Sequence, residues 1–230
     1  KNFYKNYFKI GISGLIGGSG LGIAMISFMF SITNTSAAIT LLCLAAMPFF
    51  TALLGFLFLK ERISINVWIA IIIATVGIII IALGNTAKAS LIGLVFGMTS
   101  SIGFSVFSVT LRWRKETPKF TTVAFAGLFC FVVSAIIILT NDMVFLSTSY
   151  NGALFSLHGT LVCMGLILYS IGSKVIPAAE LTLLSLTEVI GGIFWVWVPF
   201  LGINEIPSTN TIIGGFFLFM SIIYYSLTIK

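Results

Sequence analysis

Between Lys9 and Lys60 the chain carries no charged residue at all. Such a stretch has few homes, because a helix crosses the roughly 30 Å of bilayer hydrocarbon with about 20 apolar residues. The gap is long enough for two crossings, separated at the turn-like Thr33-Asn34-Thr35-Ser36. Further charge-free runs lie between Arg62 and Lys88, Lys88 and Arg112, Lys119 and Asp142, Asp142 and Lys174, and after Glu205. Pro177 to Leu201 also reads as a span, although it contains Glu180 and Glu188. Only 8% of residues are charged, against about 25% in soluble proteins, which excludes an ordinary soluble domain.

The expected fold class is an all-α integral membrane protein with eight transmembrane helices, over residues 10–32, 37–59, 66–84, 90–111, 120–141, 152–172, 178–200 and 209–228. A membrane β-barrel would need apolar and polar residues to alternate, and runs such as Ile69 to Leu83 do not alternate. Loops this short leave no room for a soluble catalytic or nucleotide-binding domain.

The net charge of +6 is a topology signal rather than a nucleic-acid footprint. Of 12 basic residues, 11 fall on one side of the expected spans, with Lys88 alone opposite. The positive-inside rule assigns that side to the cytoplasm, which puts both ends of this chain inside and the protein in the cell (inner, cytoplasmic) membrane. No nucleic-acid partner is expected. Cys43, Cys130 and Cys163 match no metal-ligand spacing and read as small apolar core residues, so neither a metal nor a cofactor is expected. The first residue, Lys1, opens inside a basic loop, which reads as a fragment of a longer chain.

One internal repeat stands out. Glu61-Arg-Ile-Ser64-Ile-Asn66-Val-Trp-Ile69-Ala70 aligns with Glu205-Ile-Pro-Ser208-Thr-Asn210-Thr-Ile-Ile213-Gly214, with Glu, Ser, Asn and Ile at identical spacing. Ser36-Ala37-Ala38 and Pro177-Ala178-Ala179 open the spans before the two copies. An odd number of crossings separates Glu61 from Glu205, so the repeat is inverted, as in secondary transporters. Local capping by Ser64 and Ser208 accounts for the residue types but not for their recurrence on both sides of the membrane.

Leu186-Thr-Glu188-Val, Trp195-Val-Trp197, Glu205-Ile-Pro207-Ser208 and Gly214-Gly215, together with Pro48, Glu61 and Gly77, resemble the drug/metabolite transporter superfamily, specifically permeases built from two EamA repeats. The resemblance implies a ten-helix, five-plus-five inverted-repeat fold. This chain would then lack the first two helices, with residues 1–84 the remainder of the first repeat (three helices) and 85–230 the second (five helices). The sequence departs from the family in two places. The interval from Trp197 to Glu205 is longer, and Gly191-Gly192-Ile193 replaces an expected proline.

Glu188 would lie about 16 Å along its helix, near the midplane, where an unpaired carboxylate costs several kcal/mol. It is therefore a candidate for the substrate or proton pathway, or else a carboxyl bonded to a neighbouring helix. Glu180, near the cytoplasmic boundary, is a candidate gate residue or a helix-start charge within reach of Lys174. Ser101, Ser105 and Ser108 share one helix face, and Thr182 and Ser185 share Glu188's side by spacing. These hydroxyls either line a cavity or join helices. His158 is a candidate proton relay or a helix contact, and Trp195 and Trp197 are cavity-lining residues or interface anchors. Gly14, Gly18 and Gly22 form a stripe permitting close helix approach.

The reading that unites these features is a secondary transporter, a permease or exporter of small organic metabolites such as amino acids or related compounds. It would work by alternating access, with protons as a candidate coupling ion, and it would not be an enzyme. The alternatives are a lipid-modifying membrane enzyme, for which Asp142 and His158 are the nearest external pair, and a non-transporting scaffold. The solute, the transport direction and the oligomeric state are not written in the sequence.

Overall fold

The computed structural model describes residues 10–84, 90–113, 119–141, 148–197 and 208–228. Among them every regular element is a helix: α1 (Gly11–Asn34), α2 (Ala37–Leu44), α3 (Met47–Leu54), α4 (Ile65–Gly84), α5 (Leu91–Trp113), α6 (Lys119–Thr140), α7 (Ser149–Gly172), α8 (Ala178–Leu184), α9 (Leu186–Trp197) and α10 (Thr209–Thr228). Each of the eight apolar segments expected from the charge gaps is helical. Five helical stretches, counting Ile39–Leu59 as one, are at least 18 residues long and apolar enough to cross a membrane.

Two segments expected as continuous helices are kinked instead. The segment 37–59 breaks between α2 and α3 and ends in a π turn, Gly55–Leu59, before Lys60 in the left-handed region at φ 53°. Pro48 sits in the first turn of α3, where its missing N–H cannot serve the carbonyl four residues back, so the ladder tightens across Ala45 and Ala46. The segment 178–200 breaks at Ser185 without a proline. There Thr182 Oγ1 donates to Ala178 O at 3.1 Å and Ala179 O at 3.0 Å, and Ser185 Oγ donates to Thr182 O at 2.7 Å. Hydroxyls that bond back onto their own helix bend it.

Close backbone approach at glycine holds the bundle together. α1 crosses α5 where a Cβ on Gly103 would lie 2.6 Å from Gly20 O, and it packs on α6 where a Cβ on Gly18 would lie 2.9 Å from Thr122 O. The glycine stripe expected to admit another backbone does so. α4 and α10 pair in the same way, with a Cβ on Gly77 falling 2.6 Å from Gly214 O. Their far ends meet where Asn66 Nδ2 donates to Thr228 O at 3.5 Å, so the two helices run antiparallel.

The buried apolar residues form two clusters. The larger joins α2, α3, α4, α8, α9 and α10 around Leu42, Ala52, Val67, Leu183, Leu186 and Leu218. The smaller joins α1, α5 and α6 around Leu21, Phe107, Leu111 and Ala126. Phe104 packs against both clusters, so the kinked spans are seated on the α1–α5–α6 block.

Candidate functional site

The two kinked spans are neighbours in the larger cluster, and each is interrupted within its apolar length. At the first break Cys43 O accepts Ala46 N–H at 3.1 Å and also a short hydrogen bond from Ser101 Oγ on α5. Ser105 Oγ donates to Met47 O at 3.2 Å and to Ser101 O at 2.8 Å. Both serines are fully buried. They brace the proline-induced break against α5 instead of standing in an open stripe, and the third hydroxyl of that face, Ser108, pairs with Tyr169 on α7. Thr51 Oγ1 on α3 and Ser170 Oγ on α7 are buried with no hydrogen-bond partner among the described residues.

At the second break Thr182 is fully buried and Ser185 half-buried, while Glu188 in the first turn of α9 is exposed. The sequence reading put these three on one side. Six residues separate Thr182 from Glu188, about 240° around a helix, and the buried Thr182 and exposed Glu188 lie on different sides. The Glu188 backbone N–H donates to Ser185 O at 2.9 Å, and its side chain shares the uncovered side of α9 with Thr187, Phe194 and Trp195. A Cβ on Gly191 would meet nothing within 4 Å, whereas one on Gly192 would lie 2.9 Å from Leu41 Cδ1. One side of α9 is therefore packed on α2, and the other carries the carboxyl into space that no described residue fills. Glu188 is ten residues from the start of α8, about 15 Å along the axis. An ionised group in mid-membrane costs about 2.5–3.5 kcal/mol on insertion scales, so such a residue faces a polar pathway or a partner. Its place in a helical first turn offsets part of that cost, because the helix dipole favours negative charge there.

Two carboxylates at the basic end, Glu61 and Glu180, have side-chain partners. Arg112, at the end of α5, donates from Nε to Glu61 Oε1 at 2.8 Å, and from Nη1 to Ile176 O at 2.9 Å and Ser173 O at 3.3 Å. Glu180 Oε2 accepts Tyr225 Oη–H at 2.7 Å. Lys174 is exposed and is not the partner that sequence proximity suggested. His158 lies exposed on α7, and Trp195 is 57% exposed with its ring edge-on to Phe194 at 6.0 Å. Pro48 lies in the first turn of α3, Gly214 packs on Gly77, and Gly215 has open space beside it. The side chain of Trp197, together with Asp142, Glu205 and Pro207, lies outside the described residues, while Ser208, just before α10, is half-buried.

Sequence reading missed Arg112, Tyr225 and Tyr169. Arg112 was read as a marker of sidedness, because basic residues at span ends ordinarily are, and only its helix-end position beside Glu61 distinguishes it. The two tyrosines carry no local signal, since their partners are 61 and 45 residues away.

Comparison with known proteins places this bundle. Residues 2–83 match the EamA-like transporter family. The match covers the first part of the chain, under half of its length. The EamA-like segment contains α1, the first kinked span, Glu61 and most of α4, while Glu180 and Glu188 lie beyond it. A Helicobacter pylori protein named an uncharacterized transporter is 28% identical over 130 residues, 56% of this chain and 44% of the relative. Pseudopaline exporter CntI of Pseudomonas aeruginosa is 23% identical over 209 residues, 90% of this chain and 72% of the exporter. The chain thus spans less than half the length of the first relative. A crystal structure superposes with a TM-score of 0.73 at 17% identity, over 94% of this chain and 77% of the other, which is a likeness of fold alone. The five long apolar helices mark a multi-pass membrane protein, and the relatives it resembles are named as transporters.

Proposed function

We propose that the protein is a secondary permease or exporter of small organic metabolites, such as amino acids or related compounds. It works by alternating access around a site beside the two kinked spans. The observation that carries this reading is Glu188, a mid-span carboxyl on the uncovered side of a bent helix. Bent or interrupted helices near the midplane are where secondary transporters bind solute and coupling ions. The family and the relatives named as transporters support the same class.

In this reading Glu188 is the candidate proton carrier. Residues 1–84 and 85–230 belong to two inverted halves of a ten-helix fold, and the basic end faces the cytoplasm of the cell. The paired motifs Glu61 to Ser64 and Glu205 to Ser208 support the two halves, since each stands between a kinked span and the helix that follows it.

The test is counterflow of a pooled, isotope-labelled mixture of amino acids and related metabolites into liposomes carrying the full-length protein, with and without a pH gradient. Saturable exchange is expected. Protein-free liposomes and proteoliposomes giving the same uptake for every compound would contradict the reading.

A further inference from the structure

We infer that Arg112 is a conformational latch that holds the basic end of the bundle closed. This inference rests on the alternating-access reading above. Three segments meet on this one side chain: the connection after the first kinked span through Glu61, the end of α5 through Arg112 itself, and the α7–α8 turn through Ser173 O and Ile176 O. Glu61 lies within the EamA-like segment, and the other two segments lie beyond it. Few other side-chain contacts among the described residues join such distant parts of the chain at that end.

The chemistry suits a latch. A guanidinium keeps its charge at every physiological pH and presents several N–H groups in a rigid fork, so it can satisfy a carboxylate and two carbonyls at once. The pair is partly wet, with side-chain exposures of 24% for Arg112 and 28% for Glu61. A half-exposed ion pair is cheaper to separate than a buried one, because water takes over the freed charges. Glu61 also follows Lys60, whose left-handed backbone turns the chain out of the π turn and presents the carboxylate to α5. Tyr225 bonding Glu180 closes the same end a second time, between α10 and α8. Opening this end to admit or release solute requires the three segments to part, and the Arg112 contacts are the ones that must break.

The experiment measures the distance across this end. Spin labels are placed at Ile65→Cys and Val175→Cys, which are 71% and 83% exposed and flank the latch, in full-length protein with Cys43, Cys130 and Cys163 replaced by alanine. Reconstituted Arg112→Gln and Glu61→Gln are expected to gain a population longer by about 5 Å, roughly one helical turn. Arg112→Lys, which keeps the charge but loses the fork, is expected to fall between them and the parent protein. If Arg112→Gln does not fold, Glu61→Gln carries the test alone, because it leaves the carbonyl contacts in place. Distance distributions that match the parent in every folded variant would overturn the latch, and continued counterflow by the parent would then leave the transport reading standing. Absence of counterflow in the parent would remove the transport reading and the latch together.

Discussion

α1 and α7 are the same length, 24 residues, and equally apolar, with a mean hydropathy of 1.8 in their most apolar windows. Yet 44% of that window is buried in α1 and only 6% in α7. Hydropathy says that both helices cross the membrane and nothing about which lies inside the bundle. Lipid tails are as apolar as leucine, so what draws one helix against another is close fit at small residues. In α1 the glycines at 17, 18, 20 and 22 each meet a neighbouring helix, whereas Gly159 and Gly165 of α7 face open space. Each of the two helices immediately precedes a kinked span, a Glu-x-x-Ser motif and a further helix.

The largest expected effect lies at the α1–α5 crossing. Gly103→Leu would drive a side chain into the backbone of α1, and with no flexible neighbour to yield it is expected to cost about 3 kcal/mol or abolish folding. The readout is the monodisperse yield and thermal midpoint of detergent-purified protein. Gly159→Leu and Gly165→Leu in α7 sharpen the comparison. Both glycines face open space, so each substitution is expected to stay within about 0.5 kcal/mol of the parent by the same readout. A cost of about 1–3 kcal/mol at either position would show that α7 is packed and not open, and would break the contrast with α1.

The kinks offer a second, gentler comparison. The first is forced by Pro48 and braced from outside by Ser101, so Ser101→Ala leaves Cys43 O with a weaker set of donors. A loss of about 1 kcal/mol in thermal stability is expected, the usual worth of an interhelical hydroxyl bond in a membrane. The second kink is bent from within by Thr182, which bonds only to its own helix. Thr182→Val keeps the shape and removes a bond that no other element depends on, so a change of a few tenths of a kcal/mol is expected. A larger cost for Thr182→Val than for Ser101→Ala would reverse the account of the two breaks.

The existence and limits of the helices were legible because membrane insertion is a local property. Charge gaps and apolar length decide it residue by residue, and ends such as Thr209 and Gly84 fell where charge and turn residues placed them. The kink at Pro48 had a visible cause in the missing N–H. The one at Ser185 did not, since a threonine or serine bends a helix only when its hydroxyl turns inward. The Arg112 and Tyr225 contacts were illegible for a different reason. They join residues far apart in the chain, and which ends meet depends on the glycine-paved crossings that set the bundle. Glu188 was conspicuous as a carboxyl in an apolar run, but six residues, about 240° around a helix, separate it from Thr182, so the two do not share a face.

In the proposed function the Glu188 side of α9 lies on the transport path and carries the proton. The most direct measurement is the pH profile of solute counterflow in liposomes for the full-length parent beside Glu188→Gln and Glu188→Asp. The account predicts pH-dependent exchange in the parent, a flat profile in Glu188→Gln, whose amide cannot titrate, and a retained, displaced dependence in Glu188→Asp. A Glu188→Gln profile that rises and falls with pH as the parent's does would contradict it.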